Sequence, residues 1–171
     1  MKDESLNYKP FEAKDIFRIL GFNKNRLWYL VHAYHLLEPE IEASSGTGKS
    51  NKFSRNNLLE LMLIKELSRC GLGLNAIKSI KKSFEKESRL LVEEAKKSKA
   101  DIRNIYDRAF LEPPIGLRIA RSFDWFEVSV AEWRPAPLSN KDDEEVLKYN
   151  SYIMINISTL AGHLKERLSK V

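Results

Sequence analysis

From Leu74 to Leu111 the chain reads as one uninterrupted amphipathic helix, and no other stretch narrows the choice of fold as much. Ile77, Ile80, Phe84, Leu91, Ala95, Ile102, Ile105 and Ala109 recur mostly at spacings of three or four, and Glu112-Pro113-Pro114 closes the run. The rhythm skips at Glu87 and Ser98, so the stripe makes an imperfect coiled-coil seam. About 37 residues at 1.5 Å each would span roughly 55 Å. A helix of that length in a 171-residue chain needs a surface to cover its apolar stripe, and the expected surface is a second copy of the chain.

Composition removes several classes. Hydrophobic residues at 43% and charged residues at 31% give a globular balance, too apolar for wholesale disorder. The lone Cys70 excludes an internal disulfide and leaves a Cys-rich zinc site without ligands. The apolar runs are only a few residues long, so no membrane span is expected. Met1-Lys2-Asp3-Glu4-Ser5 lacks the apolar core of a secretory signal, and a cytoplasmic setting is expected. The formal net charge is +5, divided as +3 over residues 1–80, +3 over 81–111 and −1 over 112–171. Between Lys49 and Lys82, eight Lys/Arg face only Glu60 and Glu66, a bias that suits a polyanionic partner.

Shorter elements precede the long helix. Residues 12–20 place Ala13, Ile16, Phe17 and Leu20 on one helical face, and Gly21 can end the helix. Asn23 can cap a second helix over 24–34 that buries Leu27, Leu30 and Val31 and exposes Lys24, Asn25 and Arg26. Two short helices joined by a tight turn form a helix-turn-helix unit, whose second helix meets base edges with its N-terminal end. Pro39 is expected to stop that helix, and residues 38–53 read as an irregular hairpin loop. Ser54 can cap a helix over 55–70, which Gly71-Leu72-Gly73 breaks. Beyond Pro114, Leu117–Arg121, Trp125–Trp133 and Tyr152–Ile157 read as strands, and Ser158 as the cap of a last helix over 159–170. The expected fold is mainly α in three segments: a helix-turn-helix domain over 1–73, whose two-helix hairpin any small bundle would also show, a dimerisation helix over 74–112, and a small α+β module over 113–171.

Four local motifs in this order resemble the MerR family of transcription regulators over about residues 11–80. They are Gly21-Phe22-Asn23-Lys24-Asn25-Arg26-Leu27-Trp28-Tyr29, Tyr34-His35-Leu36-Leu37-Glu38-Pro39, Phe53-Ser54-Arg55, and the junction Leu67-Ser68-Arg69-Cys70-Gly71-Leu72-Gly73-Leu74-Asn75-Ala76-Ile77. The resemblance implies a winged helix-turn-helix, an antiparallel coiled-coil homodimer through the long helix, and a variable C-terminal effector region. It implies that Asn23, Lys24, Asn25 and Arg26 face the major groove of double-stranded DNA and that Tyr29 holds a phosphate. Lys49, Asn51, Lys52 and Arg55 would serve the wing. RNA polymerase and a small-molecule effector are further partners that the family brings with it. The chain departs from the family in having Trp28 where an Arg usually precedes the Tyr, and Val31 where a Glu usually follows. Its wing lacks the usual Gly-Tyr-Arg, with Asn51 at the Arg position and Lys52 beside it.

Other constellations point more weakly elsewhere. Ala43-Ser44-Ser45-Gly46-Thr47-Gly48-Lys49-Ser50 satisfies a relaxed phosphate-loop pattern. A phosphate loop belongs between a buried strand and a helix, whereas Glu38-Pro39-Glu40-Ile41-Glu42 is charged and proline-broken. A nucleotide-binding protein is therefore the lesser alternative, behind a DNA-architectural or recombination accessory protein. Cys70 reads as a small buried packing residue. His32, His35 and His163 lack a matching ligand cluster, so neither a metal nor another cofactor is expected, and no catalytic arrangement stands out. Trp125, Phe126, Trp133, Tyr149 and Tyr152 suit core or dimer packing, with an effector pocket or a docking face for another protein as the functional alternatives.

Overall fold

A computed structural model describes residues 10–39, 51–97, 105–110, 114–121, 126–132 and 151–170. They are mainly helical with one three-stranded antiparallel sheet, and they fall into two compact units. Unit 1 is Met1–Leu63 with Leu164–Val171, and unit 2 is Ile64–His163. No helix among the described residues is long and apolar enough to cross a membrane.

In unit 1, helix α1 (Ala13–Leu20) starts where the Glu12 N–H donates to Asp15 Oδ2 at 2.9 Å. It buries Ile16, Ile19 and Leu20, while Ala13 and Phe17 are half-buried. Gly21 ends it in the left-handed region at φ +67°, its N–H donating to Phe17 O at 3.0 Å, a conformation that a side chain would strain. Asn23 Oδ1 then accepts the Arg26 N–H at 2.7 Å and caps α2 (Lys24–Trp28), which continues as a π-helical turn over Tyr29–Ala33. Leu27, Leu30 and Val31 are buried as their spacing requires.

The second helix ends at Ala33, within one residue of the expected 34, and the stop is not Pro39. Tyr34 N–H bonds to Tyr29 O at 2.9 Å, and His35 takes φ +49°. Leu30 O accepts from both Leu36 and Leu37, at 2.8 and 3.2 Å. This reversal turns Leu36 and Leu37 into the core at 0% and 1% exposure, so burial stops the helix before proline can.

Phe11 and Phe53 form an isolated antiparallel bridge with both N–H···O bonds at 2.8 Å. Helix α3 (Arg55–Arg69) follows at once. Its first turn is closed reciprocally, with Asn57 N–H on Ser54 Oγ and Ser54 N–H on Asn57 Oδ1, both at 3.1 Å. The Asn57 amide also donates to Glu38 O at 2.9 Å, which ties the end of the first helical pair to α3. Leu58, Leu59, Leu61, Met62, Leu63 and Ile64 are all buried, the pattern of a central helix covered on several sides. From the far end of the chain, Leu164 is wholly buried and Arg167 Nη1 donates to Ile19 O at 2.8 Å. That cation meets one of the last carbonyls of α1, where a positive charge is favoured.

In unit 2, Gly71 at φ +83° ends α3, and Leu72 N–H returns to Leu67 O at 3.2 Å. Cys70 sits in this turn just past Arg69 and is exposed, not the buried packing residue expected, because the chain leaves the helical path there. Helix α4 covers Leu74–Lys97 and α5 covers Ile105–Arg108. The Phe84 and Tyr106 rings lie 5.6 Å apart. In one straight helix those positions would be about 33 Å apart. The expected single helix over 74–111 is therefore two helices, α5 lying back against α4.

The sheet explains why α4 does not need a second copy along its first half. Strands β1 (Ile115–Arg121), β2 (Phe126–Glu132) and β3 (Ser151–Asn156) run antiparallel in the order β2-β1-β3. Leu117 lies opposite Val130 and Ile155, and Ile119 lies opposite Val128 and Ile153. Helix α4 packs on β2, and Ile77, Ile80 and Phe84 are buried at 1–3% exposure, whereas Leu90 is 48% exposed. Helix α6 (Ile157–Leu168) is capped by Asn156, whose Oδ1 accepts the Thr159 N–H at 2.8 Å, and not by Ser158. Ser158 lies inside the first turn and its Oγ instead accepts the Ile115 N–H at 2.9 Å, joining α6 to the start of β1.

Candidate nucleic-acid interface

Residues 16–37 contain Arg18, Lys24 and Arg26 and not one Asp or Glu. The inward turn of Leu27, Leu30 and Val31 dictates what the other side of the helix presents. Lys24, Asn25, Arg26, Trp28, Tyr29 and His32 are all exposed. Neighbours three and four apart on a helix share a face, so Lys24 stands one turn from Trp28, and Asn25 one turn from Tyr29.

Two of these side chains are steadied by aromatic contacts. The Arg26 guanidinium carbon lies 5.5 Å from the centroid of the buried Phe22 ring, a cation–π contact. Trp28 meets Tyr29 edge to face, with centroids 5.4 Å apart and rings at 84°, and His32 at 5.5 Å and 42°. Trp28 and Tyr29 nonetheless remain 54% and 53% exposed. Such a surface offers charged and amide donors to phosphates and base edges, with flat apolar area beside them.

The sequence-predicted residues divide into three groups. Lys24, Asn25, Arg26 and Tyr29 are all exposed on α2 and its π-helical turn, with Asn25 and Tyr29 one turn apart. Asn23 is exposed beside them, but its Oδ1 is engaged in the cap. Asn51 is half-buried, Lys52 exposed and Arg55 half-buried, at the Phe11–Phe53 bridge and the start of α3. Lys49 lies outside the described residues, as does the whole phosphate-loop-like stretch Ala43–Ser50. Of the C-terminal aromatics, Phe126 is half-buried in β2 and Tyr152 lies in β3, while Trp125, Trp133 and Tyr149 fall outside the described residues. Among the described residues, no group of three or more His, Cys, Asp or Glu is placed to hold a metal ion.

Sequence reasoning missed the support given by Phe22 and His32. Each stands four residues from the side chain it contacts, Arg26 and Trp28, a spacing that was visible. A scan of protein families finds no match to the chain, and a search of curated proteins finds none either.

Proposed function

We propose that the protein is a sequence-specific regulator that binds double-stranded DNA through the outer face of α2, in the manner of the MerR family that residues 11–80 resemble. One observation carries this reading: Lys24, Asn25, Arg26 and Tyr29 are all exposed on one short helical segment within a stretch free of carboxylates. Lysine and tyrosine suit phosphate oxygens, while asparagine and arginine suit the paired donors and acceptors of base edges in the major groove. Lys52, and Lys49 shortly before it in the sequence, would add phosphate contacts. A second copy would meet the C-terminal half of α4, where Leu90 is open, and would present a second α2 to a pseudo-palindromic site.

The test is selection of bound duplexes from a random pool by the purified protein at moderate salt. A two-fold symmetric enriched motif is the expected result. Weak, salt-sensitive binding to every duplex without enrichment would refute sequence-specific regulation and favour an architectural role.

A further inference from the structure

Trp28 is the largest exposed apolar side chain of the α2 face. More than half of its surface meets solvent, and among the described residues its ring contacts run to Tyr29 and His32, which are exposed themselves. An indole left in water one helical turn from Lys24 gains most from an apolar surface that arrives together with negative charge. Duplex DNA provides that combination in one place. Among the four bases, thymine alone adds a methyl group to its major-groove edge, at C5.

Resting on the proposed DNA-binding face, we propose that Trp28 is a specificity-determining residue that packs on a thymine 5-methyl group in the major groove. Trp28 stands one helical turn beyond Lys24 and Asn25, so this thymine lies beside the base step that Asn25 and Arg26 face. The two ring contacts hold the indole in one orientation before DNA arrives, which lowers the ordering cost of the contact. The charge pattern favours a polyanion as the occupant, because Lys24 stands one turn from the indole and residues 16–37 hold no carboxylate. Stacking of Trp28 on an unpaired base would instead require single-stranded nucleic acid.

The experiment takes the duplex enriched by the full-length protein and replaces each thymine in turn with deoxyuridine, which removes only the methyl group. At one position in each half-site the wild-type protein should bind about fourfold more weakly, the equivalent of one buried methyl group. Trp28→Ala should bind the thymine and deoxyuridine duplexes alike at that position while still preferring the enriched duplex to a scrambled one. Trp28→Phe, which keeps a flat apolar ring, should retain part of the difference. An enriched motif without thymine, a wild-type protein indifferent to every methyl group, or an unchanged thymine preference in Trp28→Ala would each overturn the inference and leave the DNA-binding reading standing. Tighter binding to single strands than to the duplex would overturn it in favour of base stacking. Absence of any enriched duplex would overturn both. The deoxyuridine series on the wild-type protein needs no variant, so indifference there overturns the inference whatever Trp28→Ala does to folding, and Trp28→Phe tests the assignment to Trp28 with the ring kept.

Discussion

Helices α2 and α4 both carry an apolar stripe, yet the two stripes are covered in different ways. In α2 every device that fixes the helix lies within a few residues of it: the Gly21 turn, the Asn23 cap, and the double acceptance at Leu30 O. In α4 the cover comes from β2, more than thirty residues further along the chain, and from the return of α5 that places Tyr106 beside Phe84. A local device can be read from spacing. The partner of an apolar face cannot, because the same periodicity serves a sheet, a neighbouring helix or a second copy equally well. The consequence reaches function: α2 has a free outer face rich in donors, whereas the first half of α4 is spent on the protein's own core.

Substitutions in α4 would break that contrast most forcibly. Ile80→Ala should cost about 2–5 kcal/mol in urea unfolding, independent of protein concentration, since the chain covers this residue itself. A cost that faded on dilution would move the cover to a second copy. Leu90→Glu should leave the unfolding midpoint at low concentration nearly unchanged, yet weaken self-association in sedimentation. A dimer indifferent to Leu90→Glu would remove the C-terminal half of α4 from the interface.

Asn57→Ala tests a residue that combines local and distant roles. It loses the reciprocal cap with Ser54 and leaves Glu38 O without its amide donor, so the expected cost is about 1–3 kcal/mol. A change below about 0.5 kcal/mol, the scale of an ordinary surface substitution, would show that the tie between Glu38 and α3 carries no stability. Asn23→Ala removes a purely local cap and should cost about 1 kcal/mol by thermal unfolding. Its effect should be the smaller of the two, and the reverse order would show that the longer-range bond adds nothing to a local cap.

Much of the fold was legible where residues act on near neighbours. The caps at Asn23 and Ser54, the turn at Gly21, the three strands and the last helix all follow from capping chemistry and from periodicity. Three features escaped because the deciding contact is distant or because a competing group wins. The end of the second helix near residue 34 was legible, but its cause was not: burial of Leu36 and Leu37, and not Pro39, stops it. Asn156 takes the cap that Ser158 could also have supplied, since the Ser158 hydroxyl is engaged by Ile115. The Arg167 bond to Ile19 O joins positions 148 residues apart, and no spacing rule announces it. For the candidate site, exposure of Lys24, Asn25 and Arg26 was readable from the inward triad Leu27, Leu30 and Val31. The pairing of Arg26 with Phe22, and of Trp28 with His32, rests on ring geometry that sequence alone does not fix.

The outer face of α2 as a reader of duplex sequence is tested most directly by Arg26→Ala. The quantity to measure is the ratio of affinities for the enriched and a scrambled duplex at one fixed salt concentration. Loss of one good base-edge contact is worth about 1–3 kcal/mol, so the ratio should fall about fivefold or more in Arg26→Ala. In Lys52→Ala both affinities should drop together and the ratio should hold. An Arg26→Ala protein that still separates the two duplexes as well as the wild type would contradict the assignment of α2 as the helix that reads DNA.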